Sequence, residues 1–238
     1  MSTPKTLPSV GGCSLWLADI DGPVDPRARA TLSEDEFGRA GRFVFDKHRN
    51  RFIAARAALR QVLSIHTGED AAGLRFAYGA HGKPELDRQP DVRFNMSHSD
   101  RYALIAVGSG HALGVDIELL RPVMDADQMA LECFDDEERG ALALLDPMAK
   151  SKAFLWGWTR KEAVLKAIGT GFSNGAMPST GIDMQSRRVA LAGTGGWAAL
   201  HSFHIDGVEA VASLARLQPA KPQARDEESC APAQEQFA

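Results

Sequence analysis

Three carboxylates and two lysines fall in two short segments about forty residues apart, Leu113-Gly-Val-Asp-Ile-Glu118 and Trp158-Thr-Arg-Lys-Glu-Ala-Val-Leu-Lys166. Converging carboxylates hold a hard divalent cation, and lysines beside them bring positive charge to a diphosphate, so these residue types suit phosphoryl-group chemistry. From Ala112 to Glu118 the apolar Leu113, Val115 and Ile117 alternate with Gly114, Asp116 and Glu118. That is the period of a half-buried strand with both acids on one face. Two residues along a strand cover roughly 6.5–7 Å, so both carboxylates reach one cation. All-oxygen ligands favour magnesium or manganese over zinc. A bare Asp-x-Glu also fits the solvated face of an edge strand, and a partner segment has to separate the two.

The second segment supplies that partner. At 100° per residue, Phe154, Trp158, Lys161, Leu165 and Ile168 form one helical stripe, and Glu162 falls on its edge with Lys166 one turn further on. Burying an unpaired carboxylate costs on the order of several kcal/mol, so Glu162 needs a cation, either Lys166 at i+4 or a metal. An ordinary exposed Glu–Lys pair fits the same spacing.

The motifs Gly114-Val-Asp-Ile-Glu118 and Trp158-Thr-Arg-Lys-Glu-Ala163, preceded by Phe94-Asn-Met-Ser-His-Ser99 and Gly82-Lys-Pro84, together resemble the 4′-phosphopantetheinyl transferases of the long, surfactin-synthetase-activating type. The resemblance runs from about Leu32 to Phe172, with four motifs in the family's order. It implies a magnesium-dependent transfer, with manganese as a possible substitute, of the phosphopantetheine arm of coenzyme A to a serine of an apo carrier protein. Adenosine 3′,5′-bisphosphate is the other product. By the same resemblance Asp116, Glu118 and Glu162 match the acidic metal site, and Lys166 a lysine near the diphosphate. His98, with Ser97 beside it, matches the histidine at the 3′-phosphate, and Lys83 a basic residue at the same end of the cofactor. Arg51 matches an arginine of the cofactor site, and Glu138 a glutamate that pairs with the site's basic residues. Val164 stands where many relatives carry an aromatic residue. Of two lysines that precede the Arg51 helix in some members, Glu36 replaces one and Arg39 stands for the other.

The mechanism follows from chemistry as well as from resemblance. Phosphoryl transfer asks a protein chiefly for positioning and for neutralisation of the charge that develops on the leaving phosphate. A carboxylate within about 3 Å of the attacking hydroxyl can take its proton. Glu162 is the first candidate for that base, and service as a metal ligand alone is its other reading. A histidine at a strand end is often structural; His98 closes the alternating run Val92, Phe94, Met96 and enters a loop, where phosphate-binding groups sit. Two other classes fit parts of the pattern: a non-catalytic module that binds coenzyme A or a carrier protein, and a different magnesium-dependent phosphotransferase. The first predicts a lost ligand, yet Asp116, Glu118, Glu162 and Lys166 are all present. No P-loop, dinucleotide-binding glycine motif, nucleophile elbow, kinase signature or Cys/His metal signature occurs.

Composition sets outer bounds. The 238 residues are 44% hydrophobic and 24% charged with a net charge of −4, enough for one large core or two smaller ones and without the basic excess of a general nucleic-acid binder. Cys13, Cys133 and Cys230 are too few and too scattered for a disulfide framework, which suits a reducing cytoplasm. No export signal or membrane span is expected. The partners implied are coenzyme A and acyl, polyketide or peptidyl carrier domains, acting with a monomer.

These groups have to be positioned by an α+β chain of two similar halves related by a pseudo-twofold axis, with the active site in the cleft between them. The halves are expected over residues 1–110 and 111–217, with a disordered tail over 218–238. The first half carries a strand over Ser14–Asp19, a helix opening at Ser33, and a longer helix from Asp46 to Ile65 with Arg49, Arg56 and Arg60 outward. Strands follow over Leu74–Tyr78, Val92–Met96 and Tyr102–Val107. The second half carries the acidic strand, a short helix begun at Asp135 and a helix over Lys150–Ile168. Its remaining strands are expected over Gly181–Met184, Arg188–Ala192, His201–Ile205 and Val208–Ala215.

Overall fold

The computed structural model describes residues 3–170, 177–192 and 196–219. Strands β1 (Lys5–Val10) and β2 (Cys13–Asp19) form a hairpin, and the chain then passes through helices α1 (Pro26–Arg29), α2 (Glu34–Ala40) and α3 (Asp46–Thr67). A small hairpin of β3 (Phe76–Tyr78) and β4 (Pro84–Leu86) precedes β5 (Val92–Ser99) and β6 (Tyr102–Ser109). The acidic strand β7 (Leu113–Leu119) leads into α4 (Ala126–Cys133), α5 (Asp136–Ala143) and α6 (Pro147–Ile168), then β8 (Arg187–Ala190), β9 (Trp197–Ile205) and β10 (Val208–Gln218).

Two antiparallel four-stranded sheets result, in the orders β1-β2-β6-β5 and β7-β10-β9-β8, each with a 22-residue helix on one face. The halves match in kind: both long helices end on a left-handed glycine, Gly68 and Gly169. Alternation within single strands assigns the layers. On β2 and β6, Ala18 and Ile105 pack against Ala54, Ala58 and Leu59 of α3. Leu15, Leu17, Leu104 and Ala106 face the other way and meet Leu113, Val115, Ile117, Ala212 and Leu214 of the second sheet. Strands buried on both faces in this way carry apolar side chains at nearly every position, as Tyr102-Ala-Leu-Ile-Ala-Val107 does. Because the apolar face of β7 enters this shared core, its other face, Gly114, Asp116 and Glu118, is turned towards α6.

Differences from the sequence reading have local causes. Arg56 and Arg60 are buried rather than outward, because Glu36 at the head of α2 pairs with both, and both guanidinium groups lie over the Phe76 ring. Residues 181–184 form bends, not a strand. Their neighbours are held by side chains instead: Arg160 donates to the carbonyls of Thr180 and Gln185, and Glu138 accepts from the amides of Thr180 and Gly181. Helix α4 was not anticipated, and β10 runs through Gln218. The tail beyond residue 219, with Cys230, lies outside the described residues.

Candidate active site

Strands β5 and β7 are the facing edges of the two sheets, and the acids gather along that seam under α6. The α6 helix approaches β7 closely because Gly114 has no side chain: a Cβ there would crowd the backbone of Ala163, Lys166 and Ala167. Asp116, only 4% exposed, thereby faces Glu162 and Lys166 on successive turns of α6. The Lys166 ammonium donates to Asp116 Oδ1 at 2.6 Å and to Ser97 Oγ at 2.9 Å, and lies 3.7 Å from Glu162 Oε2. The Ser97 hydroxyl donates to the same Asp116 oxygen at 2.6 Å. One step along both strands, the Ser99 hydroxyl donates to Glu118 Oε2 at 2.7 Å.

Charge in this cluster is incompletely balanced. Burial pushes the Asp116, Glu118 and Glu162 carboxyls above the usual carboxylate range, with Lys166 opposing the shift at Asp116 and Glu162. Glu118 and Glu162 are raised further by repulsion from Asp116. Two carboxylate oxygens, Asp116 Oδ2 and Glu162 Oε1, are buried without a hydrogen-bond partner. Unpartnered buried acceptors are costly, and a divalent cation is one group that would satisfy this pair. Among the described residues no three His, Cys, Asp or Glu side chains already enclose a single metal position. The ammonium of Lys166 lies between Asp116 and Glu162 instead.

A pocket of about 640 Å³ opens in the first half beside β5, and Arg39, His48, Arg51 and His98 line it together with Phe52 and Tyr78. Arg51 is preset there by Asp21 at 2.9 Å and Asp100 at 2.7 Å. The protein around the His98 ring, with repulsion from Lys166, holds its imidazole below its ordinary pKa, although the residue keeps an exposed face. Alternation on β5 therefore gives His98 to the pocket, and Ser97 and Ser99 to the acids.

Not every residue expected at the cofactor lines this pocket. Lys83 lies outside the basic pocket that its neighbours Gly82 and Pro84 line. Its ammonium donates to three carbonyls, Leu113 at 3.0 Å, Lys166 at 2.7 Å and Ala167 at 3.1 Å, where it caps α6 and ties the two halves together. Burial lowers its pKa to about 8. Ser97 serves Asp116 rather than the pocket. Glu138 does pair with a lysine, but with Lys161 at 2.7 Å, in a buried bridge that pins residues 178–181 to α6 through the Pro178 carbonyl and the Thr180 and Gly181 amides. The stripe residue Lys161 is thus buried by its own ion pair. His48 and Ser99 escaped the sequence reading, although the alternation Asn95-x-Ser97-x-Ser99 carried a signal for the latter.

Comparison with known proteins gives a consistent result. A family model for the 4′-phosphopantetheinyl transferase superfamily matches residues 112–215, and one for the 4′-phosphopantetheinyl transferase N-terminal region matches residues 26–110. The chain is 41% identical over 164 residues to the 4′-phosphopantetheinyl transferase HetI of Nostoc sp., covering 67% of this chain and 69% of that protein. It is 36% identical to a putative 4′-phosphopantetheinyl transferase of Synechocystis sp., over 68% of this chain and 66% of that one. It is 29% identical to the 4′-phosphopantetheinyl transferase Sfp of Bacillus subtilis, over 62% and 64%.

Proposed function

The chain belongs to the 4′-phosphopantetheinyl transferase superfamily, and from that premise we propose that it moves the phosphopantetheine arm of coenzyme A to a serine hydroxyl of an apo carrier protein, releasing adenosine 3′,5′-bisphosphate. The observation that carries this reading is the pair of orphaned, buried oxygens Asp116 Oδ2 and Glu162 Oε1 beside the Lys166 ammonium.

Asp116, Glu118 and Glu162 would hold the divalent cation, magnesium or manganese, which supplies charge neutralisation on the diphosphate. Lys166, beside the same acids, would bring its positive charge to that diphosphate. Arg39, Arg51, His48 and His98 bind the nucleotide end and its 3′-phosphate, and Phe52 and Tyr78 offer apolar surface in that pocket. Glu162 would serve either as the third ligand of that cation or as the proton acceptor for the serine hydroxyl. Residues 1–110 would contribute the nucleotide pocket and residues 111–217 the acids and lysine.

The pocket assignment is tested by isothermal titration of coenzyme A and dephospho-coenzyme A into the wild-type chain and His98→Ala. The expected result is a larger loss with coenzyme A, because only that ligand carries the 3′-phosphate. An equal loss with both ligands would remove His98 from that contact. Chromatographic detection of adenosine 3′,5′-bisphosphate only when carrier, coenzyme A and metal are all present tests the reaction itself.

A further inference from the structure

The seam between the two sheets carries an order of its own. Strand β7 is an edge strand, so its amides on the β5 side have no ladder partner. Side chains of β5 take their place. Asn95 Oδ1 accepts from the Val115 amide at 2.9 Å, and Ser99 Oγ accepts from the Leu119 amide at 3.2 Å.

The proton of Ser99 is fixed by this arrangement. A hydroxyl has one hydrogen to donate. Because the Leu119 amide donates to Ser99 Oγ, that hydrogen is free for Glu118 Oε2, at 2.7 Å. Both contacts meet at one oxygen tied to the strand backbone, so Ser99 holds Glu118 Oε2 against the seam. Ser97 does the same for Asp116 one step back, but shares the task with Lys166. Among the described residues Glu118 has no cation within salt-bridge distance, whereas Asp116 has Lys166.

We infer that Ser99 is the positioning residue of Glu118: by holding one carboxylate oxygen against the seam it presents the other to the divalent cation, and so sets the metal affinity of the site. The inference rests on the metal-dependent reading proposed above. Supporting groups of this kind typically change metal affinity by about 10–100-fold when removed.

The test compares the full-length wild type with Ser99→Ala, Ser99→Thr and Ser99→Val. Threonine and valine have the same shape and differ in the hydroxyl alone, so a packing effect moves both and an orienting effect moves one. Manganese binding is measured by electron paramagnetic resonance in the absence of coenzyme A, with melting temperature recorded alongside. The expected result is a dissociation constant raised roughly 10–100-fold in the alanine and valine variants and restored in the threonine variant. Near-wild-type affinity in Ser99→Ala, or equal losses in the threonine and valine variants, would overturn the assignment. Absence of manganese binding by the wild type would instead overturn the metal reading on which it stands.

Discussion

Gly114→Ala tests whether α6 is held at the one distance from β7 that the site allows. A methyl at Gly114 would lie 2.8 Å from the Lys166 carbonyl carbon and closer still to Ala163 O and Ala167 N, whereas ordinary van der Waals contact begins at 3.4 Å. All three atoms are helix backbone, so no side chain can swing aside. The helix has to retreat by about 1 Å, the scale of misplacement that costs on the order of 100-fold in rate. Glu162 and Lys166 ride on the displaced turn, while Asp116 and Glu118 stay on the strand. Overpacking of this kind also destabilises by about 1–3 kcal/mol. For a chain of this size that lowers the melting temperature by roughly 2–12 °C. The assay is steady-state turnover at saturating coenzyme A and carrier, with scanning calorimetry on the same preparation. Wild-type turnover and an unchanged melting temperature would refute the argument that this close approach builds the site. Gly114 thus explains physically why a glycine opens the Gly-Val-Asp-Ile-Glu motif.

Three further outcomes follow from the same geometry. Glu162→Gln removes a carboxylate destabilised by burial and by Asp116, so turnover should fall on the order of 10²–10³-fold while calorimetry shows an unchanged or higher melting temperature. In the protein without added metal, Asp116, Glu118 and Glu162 should take up protons above the ordinary carboxylate range. A carboxyl whose folded pKa is raised costs stability as pH rises through the window between its unfolded and folded pKa values, so these three groups stabilise the fold as pH falls through it. Melting profiles recorded without added metal should therefore rise as pH falls through that window, and loss of that rise would contradict the shifts. Lys83→Met should lower stability by about 1–3 kcal/mol by uncapping α6, and should weaken coenzyme A and dephospho-coenzyme A alike in titration; a loss confined to coenzyme A would return Lys83 to the 3′-phosphate.

The chemistry was more legible in the sequence than the scaffold that supports it. Alternation in Leu113–Glu118 and the one-turn spacing of Glu162 and Lys166 each fix a face, and the fold then brings those faces together. The short Asp135 helix was legible from its cap, which the Asp135–Glu138 capping box bears out. What the sequence concealed is mostly side chains that bind backbone across long separations. Arg56 and Arg60 looked outward because a charged residue on a helix usually is, and Glu36, the residue that draws them in, lies on another helix. Lys83 looked like a turn lysine facing a ligand, and its three carbonyl partners come from the other half of the chain. Residues 181–184 carried a strand-like pattern, but Glu138 and Arg160 satisfy the neighbouring backbone from the side, which leaves no demand for a ladder. Among the described residues no helix is long and apolar enough to cross a membrane.

The most direct measurement is intact-protein mass spectrometry of apo acyl, polyketide and peptidyl carrier proteins incubated with this chain, coenzyme A and magnesium, with EDTA and Asp116→Asn controls. The account predicts a gain of one phosphopantetheine group on at least one carrier, abolished by EDTA and by Asp116→Asn. Unchanged carrier masses across all three classes, while coenzyme A still binds the chain, would contradict it.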